Sequence, residues 1–125
     1  MQNPLSLKKP LEWIGNSRDE LLEFPRPVIK DVGYALDEAQ RGGKSDAAKP
    51  LTGFGGAGVL EVVASHDGNT YRAVYTVKFL GIVYVLHCFQ KKSKSGIATP
   101  PQTIDLVKKR LKIAELLYKE RVTIS

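Results

Sequence analysis

Glu61, Arg72, His87 and Lys91, four side chains able to move a proton or hold a phosphate, fall at matching positions in the β-rich middle of this 125-residue chain. The stretch from Val59 to Phe89 is rich in Val, Ile, Tyr and Phe and is divided by His66-Asp67-Gly68-Asn69 and by Leu80-Gly81. That pattern predicts strands at 59–65, 70–79 and 82–89, joined by short turns and therefore antiparallel. If Ser65 pairs with Thr70, Val63 lies opposite Arg72 and Glu61 opposite Val74; if Phe79 pairs with Ile82, His87 faces Val74 and Phe89 faces Arg72. Glu61 and Arg72 become diagonal neighbours, about 7–8 Å apart at the backbone and within mutual reach.

Strand alternation then separates two kinds of surface. Leu60, Val62, Ala64, Tyr71, Ala73, Tyr75, Val77, Phe79, Tyr84, Leu86 and Cys88 share an apolar face expected beneath helices, with Cys88 as a packing residue. Glu61, Val63, Arg72, Thr76, His87 and Phe89 share the other, and Lys91 continues it. A carboxylate, a guanidinium, an imidazole and an ammonium on a face the fold need not bury suit cleavage of RNA. The reaction asks for a base at the ribose 2′-OH, cations at the phosphorane oxygens and a donor for the leaving 5′-oxygen. Glu61 is the expected base, Arg72 the phosphate clamp, and Lys91 and Lys92 further charge stabilisers, while His87 can act as acid or base. No metal or cofactor is called for. A surface ion pair, a packed strand histidine and a solvated Lys91-Lys92-Ser93-Lys94 turn account for the same residues without catalysis.

The flanking segments must hold this sheet in place. Residues 1–10 are expected to be a flexible lead-in, followed by an extended piece, Leu11 to Ile14, and a single domain over 11–125. Ser17 and Glu20 have capping-box spacing ahead of Leu21, Leu22 and Phe24. Pro25 and Pro27 break that helix and open another, where Val28, Val32, Leu36 and Ala39 recur at helical spacing before Gly42-Gly43. An N-terminal αα-hairpin is therefore expected to pack on the small antiparallel sheet, an α+β arrangement. Residues 44–58 read as a loop. Its glycines lack the Gly-Lys-Ser/Thr ending of a phosphate loop and lead into a strand, so they are taken as a turn. Thr99-Pro100-Pro101-Gln102 signals a C-terminal helix with Ile104, Val107, Leu111 and Ala114 as its apolar stripe and Lys108, Lys109, Arg110 and Lys112 around it.

Charge and composition narrow the partners. The net charge of +6 lies wholly in the second half: residues 1–58 carry eight basic and eight acidic side chains, residues 59–125 eleven and five. Such a field favours a polyanion. One cysteine and two histidines leave no disulfide framework and no Cys/His metal set. There is no run of about 18 apolar residues for a membrane span and no leader-like start, so a cytoplasmic location without membrane contact is expected.

The order of elements resembles the RelE/ParE toxin superfamily, most closely its phage-derived, HigB-type branch. The resemblance spans roughly residues 11–118 and rests on Lys49-Pro50-Leu51 with Gly53-Phe54-Gly55, Leu60-Glu61-Val62, Tyr71-Arg72-Ala73-Val74-Tyr75 and Val85-Leu86-His87-Cys88-Phe89-Gln90-Lys91-Lys92-Ser93. It implies a RelE-like fold and the toxin of a type II toxin–antitoxin system. Such a toxin is an endoribonuclease acting on mRNA on the ribosome, held in check by a cognate helix-turn-helix antitoxin. Arg72 matches the family's phosphate-binding arginine, Glu61 its acidic strand residue, and Lys91 and Lys92 the basic residues after the last strand. Lys49 matches a recurrent lysine before the first long strand, and it and Lys94 are assigned to RNA contact. Val63 stands where relatives often have a basic residue, and Gly96-Ile97-Ala98-Thr99 supplies neither aromatic nor imidazole, leaving the leaving-group acid unassigned. The alternative function is a ParE-like toxin that binds gyrase, or a binding module without chemistry of its own.

Overall fold

Three long antiparallel strands form the middle of a five-stranded sheet in the computed structural model, which describes residues 8–55, 58–91 and 99–124. In chain order the elements are β1 (Leu11–Trp13), α1 (Ser17–Leu22), α2 (Arg26–Gln40), β2 (Ala48–Pro50), β3 (Val59–His66), β4 (Asn69–Thr76), β5 (Val83–Lys91) and α3 (Pro101–Ile124). The sheet order is β1-β5-β4-β3-β2; β1 runs parallel to β5 and the other pairs are antiparallel. The expected β3–β4 register is the observed one, with Ser65 opposite Thr70 and Val63 opposite Arg72. The turn is tighter than expected, because His66 and Asn69 also pair and leave Asp67 and Gly68, both at positive φ, as a two-residue hairpin loop. Strand β2 corrects the reading of 44–58 as loop throughout: Ala48, Lys49 and Pro50 lie opposite Val62, Glu61 and Leu60. Proline is tolerated there because β2 is an edge strand.

The expected division of faces fails at two places: at Phe79, which lies beyond the end of β4, and in β5. From Lys91 back to His87 the β4–β5 register is as expected, but Tyr75 pairs with Val85, leaving Leu86 as an extra residue in β5. This bulge inverts the alternation before it. Val83 and Val85, not Tyr84 and Leu86, join Leu60, Val62, Ala64, Tyr71, Ala73, Tyr75 and Cys88 in the core under α1 and α2. Phe79, Tyr84 and Leu86 join Val59 and Val74 in a second core on the opposite face, closed by Val107 and Ala114 of α3. The face taken to need no cover is therefore half covered, and α3 supplies the cover with its expected stripe. Val74 and Val107 are fully buried, each contributing on the order of 1.5–3 kcal/mol. The N-terminal hairpin is present only in part, since α1 is six residues long.

Ser17 and Glu20 do not form a capping box; α1 has no side-chain cap. Strand β1 covers only Val83 to Val85 of β5, and α1 occupies the edge beyond. Ser17 Oγ donates to the Val85 carbonyl at 3.1 Å, and Glu20 Oε1 accepts the Cys88 N–H at 3.1 Å. The same oxygen lies 3.0 Å from His87 Nδ1 and 3.1 Å from Arg110 Nη1, which also donates to the Leu86 carbonyl at 2.8 Å. Arg110 Nη2 reaches Asn16 Oδ1 at 2.6 Å. Gly15 makes room for this guanidinium: its φ is +58°, and a Cβ there would lie 3.0 Å from Arg110 Nε. The lead-in is tied down where it is described, since the Lys9 N–H donates to the Gln40 carbonyl at 2.7 Å and Gln40 Nε2 returns a bond to the Lys9 carbonyl. Among the described residues, no helix is long and apolar enough to cross a membrane.

Burial by itself pushes the Glu20 carboxyl up, but hydrogen bonds from His87, the Cys88 N–H and Arg110 outweigh it and hold the pKa down at about 2, against an ordinary 4.5. A depressed carboxyl stabilises the fold fully above its unfolded pKa and loses that contribution as pH falls through the folded one. Urea denaturation of the parent is expected to show stability falling between about pH 4.5 and 2. Glu20→Gln is expected to cost on the order of 2 kcal/mol at pH 7 and to flatten the acid slope.

Candidate active site

The half of the sheet that α3 leaves uncovered carries Glu61, the expected base, and Arg72, the expected phosphate clamp. Lys49 on β2 lies opposite Glu61 on β3, Glu61 opposite Val74, and Arg72 on β4 between Val63 and Phe89. With strand phase as expected in this region, Glu61 and Arg72 are diagonal on one face, and their side chains meet: Arg72 Nη1 donates to Glu61 Oε1 at 2.9 Å. Both residues are buried, Glu61 5% and Arg72 8% exposed, so this is no solvated surface pair. They form the floor of a cleft of about 730 Å³ whose walls include Lys49, Thr52, Val63, Pro101, Ile104 and Asp105. The first turn of α3 is one wall of that cleft, and the β2 edge is the other.

The second Glu61 oxygen is also occupied. Thr99 Oγ1 donates to Glu61 Oε2 at 3.1 Å, so a hydroxyl already sits against the carboxylate edge that faces the cleft. Removing one partner of a buried charge pair costs about 3–5 kcal/mol, whereas the intact pair contributes little net stability over an apolar replacement. A buried pair of this kind need not be present for stability alone, and this one lines the cleft. It combines a carboxylate that accepts a hydroxyl proton's hydrogen bond with a planar guanidinium suited to an oxyanion.

Of the remaining expected residues, Lys49 is exposed on the rim. Lys91 closes β5 opposite Thr70, on the same face as Arg72 and mostly buried. His87 shares the face but points its Nδ1 to Glu20 and Arg110. Its ring stacks on Phe89 with centroids 5.0 Å apart and planes 16° from parallel. Phe89 stacks on His87 and lies opposite Arg72 in the register, and the described side-chain hydrogen bonds of His87 are with the α1–α3 node. Lys92 and Lys94 lie outside the described residues. Cys88 faces the α1–α2 core, and burial pushes its thiol up to about 12.

Sequence reasoning did not find Thr99, Asp105, Glu20 or Arg110. Thr99 reads as a helix-start residue, yet its hydroxyl turns to Glu61 and α3 begins after it. Glu20 and Arg110 are 90 positions apart, and no local spacing links residues at that separation. The doublet that carried a false local signal, Ser17 and Glu20, is the one that makes the long-range bonds.

Comparison with known proteins adds three findings. No curated protein sequence matches the chain. The fold is similar to the crystal structure of the toxin–antitoxin complex RelBE2 from Mycobacterium tuberculosis, at 20% identity and a TM-score of 0.46, over 70% of this chain and 95% of that one. The family model described as Phage derived protein Gp49-like (DUF891) matches residues 19–112, from α1 into the middle of α3. All five of the described expected site residues fall inside that match, and the chain belongs to the phage-derived, Gp49-like family.

Proposed function

We infer that this protein is the toxin of a type II toxin–antitoxin module and that it cuts mRNA on the ribosome as an endoribonuclease. The observation that carries this reading is the Glu61–Arg72 pair, 2.9 Å apart at the floor of a cleft with Lys49 on its rim. Membership of a phage-derived family and the RelE/ParE-like motifs around both residues support it, as does the basic second half of the chain.

In this mechanism the ribose 2′-OH takes over from Thr99 Oγ1 as donor to Glu61 Oε2, and the carboxylate accepts its proton. Arg72 holds the scissile phosphate and stabilises charge as the 2′-oxygen attacks phosphorus and the P–O5′ bond breaks, giving a 2′,3′-cyclic phosphate and a 5′-hydroxyl that takes its proton from water. Lys91 adds positive charge at the end of β5 and Lys49 holds the RNA backbone at the rim, while Lys92 and Lys94 are assigned to charge stabilisation and RNA contact by the family resemblance alone. His87 is the second-rank candidate for a proton-transfer role. Its bonds to Glu20 and Arg110 oppose a direct role at the cleft. The cognate antitoxin, of helix-turn-helix type, is the natural inhibitor in this scheme. A gyrase-binding toxin or a binding module without chemistry is the second reading. It is favoured by one feature: both Glu61 oxygens are satisfied within the chain, as in a structural ion pair.

Because Arg72→Ala would strand a buried carboxylate, conservative variants make the sharper test. Glu61→Gln is expected to lower cleavage by roughly 10²–10⁴-fold and Arg72→Lys by roughly 10²-fold, with folding preserved by circular dichroism. Mapping of transcript ends after brief expression reads the outcome. Folded variants that cut like the parent would sink the assignment, and intact transcripts with broken DNA would favour gyrase. For Lys49→Ala, fluorescence anisotropy with a single-stranded RNA should show weaker binding across sequences and a salt slope reduced by about 1.

A further inference from the structure

Helix α3 is amphipathic twice over. Its inner face is committed: Ala114 is buried, the Tyr118 ring packs 5.1 Å from that of Phe79, and Tyr118 Oη donates to the Leu80 carbonyl at 2.9 Å. Its outward face in the same turns is apolar as well, with Ile113 41%, Leu116 64% and Leu117 42% exposed. These residues lie past position 112, where the family match ends, and toward the opposite end of α3 from the cleft wall at Pro101 and Asp105.

Two further features describe what fits there. Leu116, Lys119, Glu120 and Thr123 surround a depression of about 460 Å³. Their spacing, i, i+3, i+4 and i+7, is that of the four-residue hole that receives a knob from a facing helix. The charges flanking the apolar pair are opposite and equidistant. Lys109 stands four residues before Ile113 and Glu120 four residues after Leu116, both exposed. In an antiparallel pair of identical helices that seats Ile113 on the partner's Leu116, Lys109 falls opposite the partner's Glu120. Two-fold symmetry makes that contact twice. Leu117 then lies against the aliphatic stem of the partner's Lys112.

We propose that the outward face of α3, from Lys109 to Thr123, is a self-complementary surface that pairs two copies of this chain antiparallel. Both clefts stay open, since the contact is at the far end of the helix. A single helix on each side buries less than the roughly 1,200 Å² of a standard stable interface, so the dimer is weak, in the micromolar range or above. Sedimentation velocity on the full chain from micromolar to millimolar concentration is expected to show a monomer–dimer equilibrium. Lys109→Glu and Glu120→Lys are each expected to raise the dissociation constant roughly tenfold. The double variant, with both signs exchanged, should return to the parent value. Both positions are on the surface, and unchanged circular dichroism marks the variants as folded. A monomer at every concentration overturns the proposal, including one that binds an acidic amphipathic peptide through the same face. So does a dimer indifferent to the single reversals, or a double variant no better than either.

Discussion

One carboxylate joins the two helical layers to the sheet. Glu20 Oε1 receives the Cys88 N–H at the point where β1 stops covering β5, and it holds Arg110 of α3 from the other side. An unsatisfied strand edge and a buried cation are each costly, and here each satisfies the other through the same oxygen. The guanidinium completes the link by donating to the Leu86 carbonyl. With α3 pinned at Arg110, its first turn stands beside Glu61 and Arg72 as one wall of the cleft. The candidate chemistry at Glu61 and Arg72 therefore depends on an interaction that contains neither residue.

Much of this was legible in the sequence because β-strand phase is a local property. In the runs 59–65 and 70–76 Leu60, Val62, Ala64, Tyr71, Ala73 and Tyr75 mark one face, the turn residues between them set the register, and Glu61 and Arg72 follow as diagonal neighbours on the other without knowledge of the rest. The α3 stripe and the α2 stripe were equally readable, since both follow a 3.6-residue period. Burial of the Glu61–Arg72 pair was not readable, because alternation says which face a residue occupies and not what stands above that face.

The misread helix starts share one cause: satisfaction of a polar group by a distant partner. Ser17 and Glu20 carry an N-cap pattern, and the backbone donors they were assigned to satisfy lose to the β5 edge. Thr99 carries a helix-start pattern and binds a strand carboxylate. Strand β2 escaped notice because three residues with a proline have no period, and they pair only because β3 offers an open edge.

The inserted Leu86 has a consequence for how this chain can change. Sidedness along a strand is binary, and Leu86 flips it once: before it the odd-numbered Val83 and Val85 face the α1–α2 core, and after it the even-numbered Cys88 does. Point substitutions leave that parity alone. Deleting a single codon from β5, or adding one, would exchange the two assignments over half the strand, turning valines toward α3 or lifting Phe89 and Lys91 off the cleft side. Tolerance in this segment is accordingly expected for replacement and not for change of length.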